Sequence, residues 1–366
     1  MSILKHIFPP QLEQIYTESF SNQLAKTQAS VVSLNQSRRL LQNPELLMKP
    51  ILTKEAEASS RLEGTQASIE DVYKMDVEEQ TDEKKQDISE IRNYEQAMLD
   101  GIDIIQKTKK LDNFTIRAIH KTLLIGVRGK EKRPGQFRAD KVWVGSKGTN
   151  EEEARYVPPE ATQVQALMEQ LENYIRTSKE KDYNPLIACG VIHHRFEAIH
   201  PFKDGNGRTG RLLISLYLIY RGLLSEPMLY ASGYFEENRK EYMDALSAVD
   251  KAEKWDIWLK YFLIGIEEQA NKSLELSFSI NDLYKKSEEK IKSLKSHLAL
   301  LQALEECFKK PYITAPILSR SATIPISTSR KYLTKLKAIG VMKDVGFYKR
   351  QRIYVNFGLI NILRSI

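Results

Sequence analysis

Apolar residues recur along most of this chain at the three- and four-residue spacing that puts one face of a helix in a core. Ile116, Ile119, Leu123 and Leu124 mark such a face over 115–125. Ile187, Val191 and Ile192 mark another over 185–199, and that segment runs into His200. The same spacing predicts helices within 46–99, over 160–177, from Arg211 to about Leu223, and from Glu236 to Glu268. Few stretches alternate with period two. Two short ones, 142–144 and 156–157, lie in a segment broken by glycine and proline, and they predict one small β-hairpin with a polar loop. The polar run 77–87 predicts a solvated loop or helix end. The expected fold class is mainly α.

Toward the C-terminus the pattern changes. Helical spacing over 298–308, 315–321 and 327–339 precedes two strand-like segments, 341–345 and 352–357, placed around Gly346. Three helices followed by a hairpin resemble a winged helix. A polar helix over 271–295 is expected to connect this part to the rest. The expected organisation is an N-terminal helical region 1–100, a helical core 101–270, the connecting helix 271–295, and a small winged-helix-like domain 296–366.

With 42% hydrophobic and 28% charged residues in 366, the composition is that of a globular protein and excludes wholesale disorder. The apolar run from Leu212 to Tyr220 stops at Arg221, too short to span a bilayer, and the first residues lack a secretory apolar region. A cytoplasmic protein without membrane partners is expected. Cys189 and Cys307 have no metal-ligand spacing and read as buried thiols. The net charge of +7 is uneven: from Lys309 onward there are twelve Lys/Arg against one acid, Asp344, which leaves the remainder net acidic. Nucleic-acid binding is therefore to be sought in the tail. There Arg330, Lys331, Lys335 and Lys337 fall on the expected recognition helix, and Lys349, Arg350 and Arg352 on the expected wing. A basic module for oligomerisation or protein docking is the alternative.

The chemistry concentrates in His200-Pro-Phe-Lys-Asp204-Gly205-Asn206-Gly207-Arg208-Thr-Gly-Arg211. Glycines flanking Asn206 permit a turn whose successive N–H groups form an anion-binding concavity. A helix begins just after it, so the turn also sits at a helix N-terminus, where phosphate is favoured. Arg208 and Arg211 are three apart, on one helix face, and can hold phosphate oxygens. Asp204 offers a hard oxygen suited to Mg²⁺. His200, four residues before Asp204, titrates near neutrality and can act as a base. Base, metal ligand, anion cradle and two arginines together point to phosphoryl or nucleotidyl transfer. A plain helix–turn–helix with a surface histidine would not need all of these groups at compatible spacing.

This segment resembles, without departure, the Fic-family signature HxFx(D/E)GNGRxxR. The likeness extends over HRFEAIHPFKDGNGRTGRLL, and more loosely over 134–159 and ASGYFEENRKEYMDAL. The resemblance implies an all-α core, ATP with Mg²⁺, and transfer of AMP to a Ser, Thr or Tyr hydroxyl of a protein target, this chain itself included. By motif position, His200 is the implied base and Asp204 the Mg²⁺ ligand. Gly205, Asn206 and Gly207 form the implied phosphate cradle, with Arg208 and Arg211 as clamps. The hairpin near Trp143 is the implied flap that aligns a target segment. Tyr234 and Asn238 are implied near the nucleotide base, and a homodimer is implied as the assembly.

A second segment, Ser59-Ser-Arg-Leu-Glu63-Gly64, reads locally as a helix end with Gly64 just past it. A glutamate there faces the negative end of the helix dipole and would gain from a cationic partner. The segment also resembles the (S/T)xxxE(G/N) inhibitory motif of Fic proteins, which implies that Glu63 pairs with Arg211 and blocks the productive pose of ATP. Removal of AMP by a water that Glu63 orients is the reverse direction left open. Of the two histidines before the motif, His194 is expected to face the core and His193 the solvent, neither with a metal role. Tyr230, Tyr234, Trp255 and Trp258 read as core aromatics. The competing reading is a DNA-binding regulator whose Fic core serves as a nucleotide sensor. Loss of a motif residue would favour it, and none is lost.

Overall fold

The computed structural model of the chain describes residues 8–40, 44–145, 150–292, 294 and 297–365. The first helices are α1 (Glu18–Ser37), α2 (Glu45–Leu62), α3 (Ile69–Lys74), α4 (Asp82–Thr108) and α5 (Asn113–Leu123). After an irregular segment come α6 (Ala161–Glu180), α7 (Pro185–Ile199), α8 (Asn206–Tyr220), α9 (Ala231–Glu237), α10 (Arg239–Ala252) and α11 (Trp255–Lys292). Side-chain caps set several of their starts. The Thr17, Thr81 and Asp112 side chains accept from the backbone of α1, α4 and α5, and Ser68 with Asp71 forms a capping box on α3. Asn184 caps α7 with Pro185 at its first position.

Helices α7 and α8 pack on each other at the centre, and almost every residue of α7 is buried. A helix apolar on all sides needs neighbours on all sides. Helices α6 and α11 lie against α7, while α2, α4, α5 and α9 surround α8. Cys189 and Cys307 are both buried and free. Among the described residues, no helix is long and apolar enough to cross a membrane.

Two expectations about the flanks change. The segment expected as a connecting helix from 271 continues α11 without a break, and its expected end at 295 lies outside the described residues. Leu276, Ser277 and Ile280 are buried and extend the stripe begun by Trp258, Phe262 and Ile266, which packs along α1. The expected flap hairpin reduces, among the described residues, to one antiparallel bridge, Val144 to Tyr156.

The C-terminal unit runs α12 (His297–Lys309), β1 (Tyr312–Thr314), α13 (Ala315–Ser321), α14 (Ile326–Ala338), β2 (Lys343–Tyr348), β3 (Gln351–Val355) and α15 (Phe357–Arg364). Its antiparallel sheet has the order β1-β3-β2. The hairpin turns at Lys349 and Arg350, both at positive φ (44° and 66°), as a tight two-residue turn demands. The expectation had placed that turn at Gly346. That glycine sits inside β2, where the register shifts after Asp344, and its φ of 110° fits a bulge.

Candidate active site

The site is built where α7 ends and α8 begins. His200 caps α7 in the left-handed conformation, with φ 50° and ψ 60°. Its ring donates to the backbone carbonyl of Glu197, which leaves the other ring nitrogen to accept a proton. Burial pushes its pKa down to about 4, so the ring is neutral at pH 7.

The turn between the two helices is braced from several sides. The Asn206 side chain spans it: its Oδ1 accepts from Phe202 N–H at 2.8 Å, and its Nδ2 donates to the Phe202 carbonyl at 2.9 Å. The amide is thus committed to the turn, and Asn206 offers a ligand its backbone N–H. The first bond into α8 comes from Thr209 N–H to Gly205 O, so the N–H groups of Asn206, Gly207 and Arg208 belong to the open helix end. Gly205 N–H donates to its neighbour Asp204 Oδ1 at 2.6 Å.

Two residues that motif reading missed hold this turn in place. His120 of α5 stacks on Phe202 with ring centroids 3.6 Å apart. Its Nδ1 accepts from Gly135 N–H, and its Nε2 lies 2.8 Å from the Asp204 carbonyl, which requires a neutral ring protonated at Nε2. Burial pushes its pKa down to about 4. Arg138 donates to the carbonyls of His200, Asp140, Pro159 and Ile199, while its N–H reaches the Pro201 carbonyl. It fastens the turn between α7 and α8 to both ends of the segment expected as a flap. Both residues carried a faint signal: His120 lies on the apolar face of α5, and Arg138 sits among the turn residues before the flap.

The arginines differ in their state. Arg211 is engaged through Nε and Nη2. Its Nε donates to Ser59 Oγ at 2.8 Å, and its Nη2 donates to the Ser59 carbonyl at 2.8 Å and to Glu63 Oε1 at 2.7 Å. Burial alone would raise the Glu63 carboxyl, but the Arg211 charge and hydrogen bond, with Arg208 and His200 beyond, outweigh it and hold it below the usual range. Glu63 is the C-cap of α2, and Gly64 follows at φ 98°, so a positive-φ glycine does turn the chain there. The glutamate at the negative end of α2 has found its cation. Its carboxylate lies directly over Gly207, where a Cβ would collide with Oε1. Arg208 is buried, yet its Nε and Nη1 lack a hydrogen-bond partner among the described residues. Glu90 Oε2 stands 3.5 Å from Nη1, and the same carboxylate oxygen accepts from Thr65 Oγ1 at 2.7 Å. A buried guanidinium with open N–H groups at a helix N-terminus fits an incoming phosphate.

Asp204 stands at the mouth of this turn with its side chain 41% exposed. Burial raises its pKa, and Glu63 and Glu90 add to the rise against Arg208 and the Gly205 N–H. Among the described residues no group of three or more His, Cys, Asp and Glu converges on a metal position. One exposed carboxylate beside a phosphate cradle suits Mg²⁺ that takes its other ligands from nucleotide phosphates and water.

A cavity of about 140 Å³ opens beside His200 and Arg211. Val144 and Tyr156 of the flap segment and Tyr242, Met243, Leu246 and Asp250 of α10 are among its walls. Tyr234 and Asn238, expected near the base, are not. Helix α9 ends at Glu237 and α10 starts at Arg239, so the chain changes direction at Asn238. Tyr234 packs 5.2 Å from Tyr261, and Asn238 donates to the Tyr234 carbonyl. His193, expected toward solvent, is buried: Nδ1 lies 2.9 Å from the Gly210 carbonyl and Nε2 2.7 Å from the Tyr242 hydroxyl. Glu197, also missed, lines the cavity with Oε1 unpartnered among the described residues, and burial pushes its pKa up to about 7.

Known proteins resemble this chain in sequence and in fold. Residues 110–218 match the model of the Fic/DOC family and residues 21–103 that of the Fic/DOC family N-terminal region, together just over half of the chain. A protein adenylyltransferase Fic of Aedes aegypti is 27% identical over 142 residues, which are 39% of this chain and 24% of that protein. A probable protein adenylyltransferase of Aquifex aeolicus is 34% identical over 99 residues, 27% of this chain and 28% of that protein. The chain thus spans about a quarter of the length of these curated relatives. In fold it is similar to a Fic family protein of Desulfovibrio desulfuricans, with TM-score 0.60 and 18% identity over 93% of this chain and 96% of that one. A Fic domain containing signalling protein of Bacteroides thetaiotaomicron gives TM-score 0.55 and 20% identity over 69% of this chain and 97% of that one.

Proposed function

We propose that this chain, which belongs to the Fic family, transfers the AMP moiety of ATP to a protein hydroxyl and is held in check by Glu63. The observation that carries the reading is the Glu63 carboxylate bound at Arg211 and over Gly207, because an anion already sits where a phosphate would. With Glu63 withdrawn, Arg211, Arg208 and the N–H groups at the start of α8 cradle the triphosphate. The cavity between the flap segment and α10 takes the nucleoside end. Asp204 would hold Mg²⁺, whose charge would neutralise that building up on the phosphates. His200 takes the proton of the target hydroxyl. The hydroxyl oxygen bonds to the α-phosphorus, the bond from that phosphorus to the bridging oxygen breaks, and pyrophosphate leaves with those electrons. His200 suits this step because its ring is already deprotonated at pH 7, free to accept a proton, and is oriented through the Glu197 carbonyl.

The test is labelling of the Glu63→Gly protein with ATP carrying the label on either the α- or the γ-phosphate. Incorporation from the α position alone supports AMP transfer. Incorporation from the γ position, or none from either, refutes it. Mass spectrometry of labelled lysate then names the target.

For the C-terminal unit we read duplex DNA as the partner. The element order and the β1-β3-β2 sheet support the reading of this unit as a winged helix, and Arg330, Lys331 and Lys335 line the exposed face of α14. A reading of the core as a mere nucleotide sensor is disfavoured by the intact His200, Asp204 and arginine set.

A further inference from the structure

The basic tail is tied by its own wing to the segment behind Glu63. Lys349, at the wing tip, donates to Glu79 Oε2 at 2.8 Å, and the Tyr348 hydroxyl donates to the same oxygen at 3.0 Å. On the far edge of the sheet, Glu70 of α3 accepts from the Tyr312 hydroxyl at 2.6 Å and pairs with Arg364 of α15. Lys309 of α12 pairs with Glu45 at the start of α2 at 3.3 Å. These contacts converge on α2, on α3 and on the segment after it, where Glu79 follows Glu78, whose N–H donates to the Lys74 carbonyl of α3 at 2.9 Å. Helix α3 is in turn fastened to α2, because Ile69 N–H donates to Glu57 Oε1 at 3.0 Å. Glu57 lies on the same helix as Ser59, and Glu63 caps its end. A continuous set of contacts therefore runs from the wing tip to the carboxylate that occupies the phosphate site.

We propose that duplex DNA and Glu79 are rival occupants of the wing, so that DNA bound to the tail loosens the hold of Glu63 on Arg211. The proposal rests on reading the tail as a DNA contact and Glu63 as the inhibitor. Its physical basis is competition for one cation. A phosphate that takes Lys349 must displace Glu79, and the field of the duplex repels its carboxylate. Arg330, Lys331, Lys335 and Arg350 add exposed positive charge to the same unit, which favours the polyanion. The Lys349–Glu79 pair is more than half exposed on both sides, 65% and 62%, so it yields readily. That weakness also bounds the effect to about two- to fivefold. Linkage makes it reciprocal: freeing the wing should favour both DNA binding and the released form of the site.

The experiment uses the full chain. Duplex binding is read by fluorescence anisotropy at low salt, and automodification by α-labelled ATP with and without the duplex. The variants are Glu79→Gln, Glu63→Gly as the released reference, and Glu83→Gln as a control for the same charge change at a nearby exposed acid. Duplex should raise wild-type labelling about two- to fivefold. Glu79→Gln should bind duplex more tightly than Glu83→Gln does and label more strongly without DNA. Added duplex should then do little more for Glu79→Gln or Glu63→Gly. A duplex that binds but leaves wild-type labelling unchanged, with Glu79→Gln behaving as Glu83→Gln, overturns the coupling alone. No binding at low salt removes the DNA reading and the coupling with it, while strong Glu63→Gly labelling would leave the transferase intact. Glu63→Gly labelling at the wild-type level removes the inhibitor and the coupling, whatever the tail binds.

Discussion

Arg211 and Glu63, 148 residues apart in the chain, meet at 2.7 Å with the guanidinium buried and the carboxylate at the rim of the cavity. The pair joins the C-terminal end of one helix to the second turn of another. Because Ser59 takes two further donors of the same guanidinium, Arg211 stays in place when Glu63 leaves. The glutamate is the movable partner, and a triphosphate would replace it on a clamp that is already set.

Glu63→Gly should therefore raise automodification. If the held arrangement is favoured by about 2–3 kcal/mol, the competent fraction is near one per cent and the gain is on the order of 10²-fold. Arg211→Ala should show no such rise, since it removes the clamp with the inhibitor's partner, and the double variant should match it. Labelling of Glu63→Gly at the wild-type level, with fold and ATP affinity intact, would return Glu63 to a helix-end glutamate.

His200→Ala should lose roughly 10²–10⁴-fold in transfer while ATP binding, read by calorimetry, survives. The pH dependence has a definite sign. With its pKa pushed down to about 4, His200 is already deprotonated at pH 6 and above, so its own titration should inhibit transfer only as the pH falls toward 4. An imidazole resonance for His200 titrating near 6.5 would contradict the buried, oriented base.

His120→Gln tests the brace beneath the turn. The folded pKa of about 4 lies below the ordinary value of roughly 6.5 for an unfolded histidine. Between those values the unfolded chain binds a proton that the folded chain does not, so His120 makes stability fall as pH drops through that window. Removing it should lower stability at pH 7, through the lost stacking on Phe202, yet flatten the decline between about pH 6.5 and 4. Denaturant midpoints for the two proteins that run parallel across this range would exclude a neutral, buried His120.

Arg138→Lys keeps the charge but replaces a planar fork with a single ammonium. Most of the carbonyls that Arg138 gathers from the flap segment and from 199–201 would lose their donor. Transfer should drop by about 10- to 100-fold through misplacement of His200 and of the target segment, with ATP affinity little changed. Equal losses in ATP affinity and in transfer would instead place Arg138 in general folding.

Many of the helices from α2 onward and the glycine turn were legible from the residues alone, because each depends on neighbours within about four positions. The expected span 185–199 and the helix of 315–321 appear at the same bounds, and Gly64 turns the end of α2 as its position implied. The motif likewise carried His200, Asp204, Arg208 and Arg211 to one place, since all of them lie within one helix–turn–helix. Contacts between distant segments had no such local signal. Asn206 looked like a ligand contact, and packing spent its amide on Phe202. Tyr234 and Asn238, implied near the base, stand outside the wall of this cavity, where Tyr242, Met243 and Leu246 of α10 lie. His120, Arg138 and the Lys349–Glu79 pair drew their roles from partners 61 to 270 residues away, except for the short reach of Arg138 to Pro159 and Asp140 and of His120 to Gly135. Side-chain periodicity says which face is buried, but it is the packing of whole helices that determines which carboxylate an arginine on that face will meet.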